Sequence, residues 1–201
     1  MMNIILASKS PRRKDLLEKI NLKFDAIDSS FDENKVKISN NIPHKYCMKL
    51  AECKCKSVSE KHIDSLVIGA DTIVYHNKQI LNKPKNKSEA KKHLNMLSDN
   101  THIVYTGVFL NIKAKDISIP FYEKSYVTFH KLSNEDIDYY IEHFKPYDKA
   151  GSYGIQDWSM VFVKKINGCF NNVVGFPVSK FFKLGLNNST INQIIKENLN
   201  T

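Results

Sequence analysis

The chain has 201 residues, 42% of them hydrophobic and 25% charged, with a formal net charge of +9. This length and balance suit a folded protein with one good core, and no run approaches the roughly eighteen continuous apolar residues of a membrane span. The positive balance favours anionic partners, nucleotides or nucleic acid, but Asn and Lys also crowd plain surface stretches such as residues 82–87, where coding bias explains them equally well.

Ile4, Ile5 and Leu6 read as a short buried strand. Ser10 then reads as a helix N-cap with Pro11 in the first helical position, and Leu16, Leu17 and Ile20 supply one apolar face. Arg12 and Arg13 fall in the first turn, where cations are disfavoured by about 0.3–1 kcal/mol each. A local rule broken twice points to a compensating anion, phosphate above all, with two solvated surface arginines as the plain alternative. An N-terminus that turns charged at Lys9 develops no secretory apolar region, so a cytoplasmic protein is expected.

Pro43 opens a second predicted helix running toward Glu60, with Asn41 or Ile42 in the cap region and Tyr46, Leu50, Cys53 and Ser57 along one face. Residues 65–75 are a strand candidate, rich in β-branched residues and nearly continuous, as in a strand covered on both faces. A helix over 88–98 turns Ala90, Leu94 and Leu97 inward. Two long strands, 102–112 and 117–130, flank a polar turn. Ser133 with Asp136 resembles a capping box opening a helix that contains Ile137, Tyr140, Ile141 and Phe144. Residues 149–156 form a loop punctuated by Gly151 and Gly154, 160–166 another strand, and 177–186 a closing helix. Strands and helices mixed without strict alternation predict an α/β or α+β fold around one curved mixed sheet. The four cysteines, Cys47, Cys53, Cys55 and Cys169, follow neither a disulfide nor a zinc pattern.

Four segments carry chemistry. The first is Ser8 to Arg13, read as an anion cradle. In the second, Gly69-Ala70-Asp71-Thr72, a carboxylate interrupts an apolar strand, which is costly unless it is partnered. Asp71 is therefore a candidate metal ligand, general base or partner of a nearby backbone turn. Thr72 is a β-former or a contact to a bound base. The third is Lys83-Pro84, where proline restricts the lysine backbone, with Lys54 in support. Either lysine alone would read as a solvated charge. The fourth joins Asp148-Lys149-Ala150-Gly151-Ser152-Tyr153-Gly154-Ile155-Gln156 to Asn172-Val173-Val174-Gly175. It matches no Walker or dinucleotide loop, and Gln156 has the donor and acceptor needed to read a base edge. Glu33 is a further acidic candidate, of little weight by itself.

Taken in order, Leu6 to Arg13, Gly69 to Thr72, Lys83-Pro84, Asp148 to Gln156 and Asn172 to Gly175 resemble the Maf family of nucleotide pyrophosphatases over nearly the whole chain. The resemblance implies a single catalytic domain over 1–201 with an inosine-triphosphatase-like α/β fold, a curved mixed sheet with flanking helices and a cleft between two lobes. It implies hydrolysis of a nucleoside triphosphate to monophosphate and pyrophosphate, a divalent cation (Mg2+ or Mn2+) and frequently a homodimer. By matching position, Asp71 becomes the base or metal-binding carboxylate, Glu33 a metal-side acid, and Ser8, Arg13, Lys54 and Lys83 triphosphate contacts. Arg12, Thr72 and Gln156 fall at positions tied to base choice. Thr72 and the Tyr153-to-Gln156 run resemble the branch acting on dTTP and UTP rather than the branch preferring methylated GTP. Lys145 before Pro146, Cys169-Phe170 and Phe176 depart from the usual pattern in packing positions. The competing readings are a basic nucleic-acid-binding module, whose binding would weaken steeply with salt, and a regulatory protein that binds nucleotide without hydrolysing it.

Overall fold

The computed structural model describes residues 2–37 and 42–199. Strand β1 (Ile4–Ala7) leads into helix α1 (Pro11–Glu18), strand β2 (Asp25–Ile27) and helix α2 (Pro43–Ser59). Strands β3 (Leu66–His76) and β4 (Gln79–Leu81) precede helix α3 (Lys87–Leu97). The long strands β5 (Thr101–Ile112) and β6 (Ile117–Phe129) and helix α4 (Asn134–Phe144) follow. The chain ends with β7 (Val163–Asn167), α5 (Phe170–Val174), α6 (Val178–Asn187) and α7 (Ser189–Glu197). Among the described residues the strands form one mixed sheet in the order β2-β1-β3-β5-β6-β7, with β4 paired to β3. β1 runs parallel to β2 and β3, and the remaining pairs are antiparallel. The expected α/β architecture, a mixed sheet with flanking helices, is what the chain forms.

The sheet has two differently dressed faces, because side chains alternate along each strand. Leu66, Ile68, Ala70 and Val74 of β3 and Val104, Val108 and Leu110 of β5 join the large core with α1, α3, α4, α6 and α7. Val67, Ile73 and Phe109 face the other way, onto α2. Here two glycines matter. A Cβ at Gly69 would collide with the backbone of Ala51, and one at Gly107 would lie 2.6 Å from the Cys47 carbonyl carbon and the Met48 nitrogen. Their missing side chains let α2 lie directly on β3 and β5.

The sheet edge is also interrupted. β1 pairs with Leu66, Val67 and Ile68, and β4 pairs with Val74, Tyr75 and His76. Residues 69–73 of β3 therefore pair with β5 but with neither of these shorter strands. Side chains on both faces of that stretch reach one opening.

Several local expectations need correction. The buried face of α2 runs through Cys47, Ala51, Lys54, Cys55 and Val58 as well as Tyr46 and Leu50, while Cys53 and Ser57 are only half-buried. Lys54, a polar residue on the inner face, shifted the apparent periodicity by one position. Asn41, half of the expected cap, lies outside the described residues; Ile42 is the observed cap and makes no side-chain hydrogen bond. Residues 158–162 are a 3-10 turn with Met160 and Val161 exposed, so β7 begins at Val163 rather than at 160. Phe144 is exposed at the end of α4, stacked on Tyr140. The Ser133 cap is as expected: its hydroxyl accepts from the Asp136 amide at 3.0 Å and donates to the Asp136 carboxylate at 2.7 Å. No helix among the described residues is long and apolar enough to cross a membrane.

Candidate active site

At the gap in the sheet edge lies a cleft of about 460 Å³. Ser8, Arg12, Arg13, Glu33, Lys54, Asp71, Thr72, Lys83 and Gln156 all line it, so the structure brings together all nine residues singled out from the sequence. They arrive from six separate stretches of chain. The β1–α1 turn supplies Ser8, Arg12 and Arg13, and a short 3-10 turn at Glu33–Lys35 supplies Glu33. Lys54 comes from the inner face of α2, Asp71 and Thr72 from β3, and Lys83 from the segment after β4. Gln156, exposed, ends the loop after α4.

Asp71 projects toward α2, where Lys54 is held close by the approach of that helix to Gly69 and Gly107. The Lys54 ammonium lies 2.5 Å from the Asp71 carboxylate and 2.7 Å from Glu33. Lys54 and Asp71 are both buried, 8% and 6% exposed. Burial alone would lower the lysine pKa, but the two carboxylates outweigh both it and nearby Arg13, and the ammonium is held above its ordinary value. Burial works to raise the Glu33 pKa, yet Lys54 and the more distant Lys83 leave it lowered. Lys83 is exposed, 3.7 Å from Glu33.

Thr72 projects to the opposite sheet face, toward α1. There the buried Arg13 guanidinium donates from Nε to the Gly175 carbonyl at 2.9 Å, from Nη1 to Ser8 Oγ at 3.1 Å and from Nη2 to Thr72 Oγ1 at 3.1 Å. Burial pulls its pKa below the ordinary value while Asp71 pulls it back up. Ser10 occupies the cap position of α1 without a side-chain cap bond, so the first-turn N–H groups are not claimed by it. Arg12, half-buried, reaches Asp148 at 2.9 Å. Lys149 in turn contacts Asp148 at 2.8 Å and lies 3.7 Å from Asp157.

The loop that carries Asp148 to Gln156 is anchored from beneath. Ser152 Oγ meets His93 Nδ1 at 2.8 Å, and the Tyr153 hydroxyl meets His102 Nε2 at 2.8 Å. Burial pushes the His102 pKa down to about 3, so the ring is neutral at ordinary pH.

Asp71 and Glu33 are the acidic pair around Lys54. Among the described residues no group of three or more His, Cys, Asp and Glu side chains could hold a metal ion by itself. Two hard carboxylates suit a magnesium-like cation that takes its other ligands from phosphate oxygens and water. The reading of single residues overlooked Asp148 and Lys149 as cleft residues, and Thr106, which bonds Thr72 across the β3–β5 ladder at 3.0 Å. The first two lay inside a motif already noted; a threonine in mid-strand gives no signal beyond β-propensity.

A family model described as "Maf-like protein" matches residues 3–187. Among curated proteins, a "dTTP/UTP pyrophosphatase" of Bacillus anthracis (strain CDC 684 / NRRL 3495) is 48% identical over 183 residues, covering 91% of this chain and 94% of its own. Proteins of the same name from Bacillus cereus (strain ZK / E33L) and Bacillus cytotoxicus are 48% and 46% identical over the same coverage. Among solved structures, a HAM1 protein from Coxiella burnetii aligns at 14% identity over 64% of this chain and 73% of that one, with a TM-score of 0.38, too distant to bear on the site.

Proposed function

The chain belongs to the Maf family, and on that premise we propose that it hydrolyses dTTP and UTP to the monophosphate and pyrophosphate. The observation that carries this reading is the convergence of Ser8, Arg12, Arg13, Lys54 and Lys83 around Asp71 in one cleft. The reaction adds water to the α-phosphorus and breaks the bond to the bridging oxygen of the β-phosphate, which leaves with the pyrophosphate. Asp71 orients the water and takes its proton. Lys54, 2.5 Å away, holds that carboxylate in place beside the phosphate chain. Arg13, buried and among the described residues bonded only to neutral acceptors, presents positive charge to the phosphate chain. Arg12 and Lys83 add charge at the cleft wall as pyrophosphate develops; Gln156, with a donor and an acceptor on one amide, reads the base edge, while Thr72 acts through its bond to Arg13. Asp71 and Glu33 would hold a divalent cation, which when bound neutralises phosphate charge and polarises the α-phosphoryl group.

By its likeness to the family we read the chain as one catalytic domain, working in the cytoplasm as a homodimer; sedimentation as a single chain would remove the dimer. For the chemistry the test is Asp71→Asn, with UTP, magnesium and a pyrophosphate readout. Turnover should fall at least about a hundredfold, as expected for loss of a general base, with the thermal midpoint retained. Pyrophosphate release at the wild-type rate would remove Asp71 from the mechanism.

A further inference from the structure

Behind the Arg13–Thr72 contact lies a buried hydroxyl, that of Thr106, which does not line the cleft. Thr106 on β5 is fully buried and pairs in register with Thr72 on β3. Its Oγ1 lies 3.0 Å from the Asn172 carbonyl and 3.0 Å from Thr72 Oγ1. A carbonyl can only accept, and a hydroxyl has one proton to give. Thr106 therefore donates to Asn172, and between the two threonines Thr72 must be the donor. With its proton committed, Thr72 offers only lone pairs to Arg13 Nη2 at 3.1 Å. The direction of every bond is fixed from the carbonyl back to the guanidinium.

The Asn172 end of this series of bonds is itself immobile. The Asn172 side-chain amide donates to the Val104 carbonyl at 3.1 Å and to Ser125 Oγ at 3.0 Å, and Asn172 and Ser125 are fully buried. Of the five N–H donors of a guanidinium, three of Arg13 are committed among the described residues, to Gly175, Ser8 and Thr72, and two remain for an anion in the cleft it lines.

We propose that Thr106 is a positioning residue for Arg13, acting through Thr72, and that it sets the affinity for the polyphosphate part of the substrate; this rests on the reading of the cleft given above. Without the Thr106 hydroxyl, the Thr72 proton turns to its alternative acceptor, the Gly175 carbonyl at 3.4 Å. There it competes with Arg13 Nε for the same oxygen, and two of the three bonds that orient the guanidinium loosen together.

The test combines Thr106→Val, Thr106→Ser and Thr72→Val, singly and with Thr106→Val added to Thr72→Val. Each protein is titrated calorimetrically with inorganic tripolyphosphate and assayed on UTP. Thr106→Val should weaken tripolyphosphate binding and raise the UTP KM by roughly three- to tenfold with kcat within about twofold, part of the effect of losing a hydrogen bond to a charged group. Thr106→Ser should restore both, and Thr106→Val should add nothing in the Thr72→Val background, since the effect passes through that hydroxyl. Wild-type affinity in Thr106→Val, no rescue by serine, or additive losses would each overturn the proposal. If the valine variant fails to fold, Thr106→Ala takes its place in the same cycle. A wild-type protein that binds tripolyphosphate without hydrolysing UTP overturns the activity alone; one that binds no tripolyphosphate overturns both.

Discussion

At 2.5 Å from Asp71 and 2.7 Å from Glu33, the Lys54 ammonium neutralises two carboxylates that would otherwise repel each other in one pocket. Removing one partner of a buried ion pair leaves an uncompensated charge, at a cost of about 3–5 kcal/mol. Lys54→Met should therefore lose stability on this scale at pH 8. The sign with pH then reverses. In the native protein the lowered Glu33 pKa contributes stability above the ordinary carboxylate range and loses it as pH falls through the lowered value. In the variant Glu33 loses the ammonium that holds its pKa down, so acidification toward pH 5 should recover part of the loss. Urea melts at the two pH values decide it, and an equal deficit at both would show that Glu33 does not depend on Lys54 for its charge. The same residue shows where sequence reading fails at this scale. A lysine on the inner face of a helix reads as solvated until its two partners, 21 residues before it and 17 after, are seen to fold onto it.

Helix α2 delivers Lys54 only because the strands beneath it carry no side chain at Gly69 and Gly107. Gly107→Ala would place a methyl 2.6 Å from the α2 backbone, which must lift. Overpacking of this kind costs about 1–3 kcal/mol, and the lifted helix draws the ammonium off Asp71. The folded variant should therefore turn over UTP more slowly, in addition to melting earlier; wild-type kcat in the folded fraction would separate the helix position from the chemistry. Elements with strong local signals are legible in advance: β3 from its β-branched run, β5 and β6 as long strands flanking a polar turn, α3 from its apolar spacing, α4 from the Ser133 cap. Short elements that depend on neighbours were not. β4 is three residues long and exists as a hairpin partner of β3. Helix α7 hides in an Asn-rich tail, yet Ile191, Ile194 and Ile195 at helical spacing fill the core. The site was legible further than the fold because its motifs sit at turns and strand interruptions, where local rules are visibly broken.

Over the whole molecule, the charge is less concentrated on the cleft than a total of +9 suggests. The cleft lining carries six cationic side chains and four carboxylates. Lys9 pairs with Asp28, Arg12 and Lys149 with Asp148, and Lys54 and Lys83 with Glu33, while Arg13 alone of the six has no ion-pair partner among the described residues. A small excess gives weak long-range steering. Raising salt from 50 to 200 mM should lower kcat/KM for UTP by no more than about tenfold, whereas a protein contacting six to ten nucleic-acid phosphates loses about 10³–10⁵ in affinity over that range. A thousandfold fall would return the balance to a nucleic-acid surface. The pairing has one more consequence. Asp28 and Asp148 neutralise cations of the cleft wall whose charge an incoming ligand's oxygens can claim instead. A triphosphate brings enough oxygens to replace both, whereas a nucleoside monophosphate brings fewer and should compete with them less well, which a comparison of UTP and UMP affinities would read.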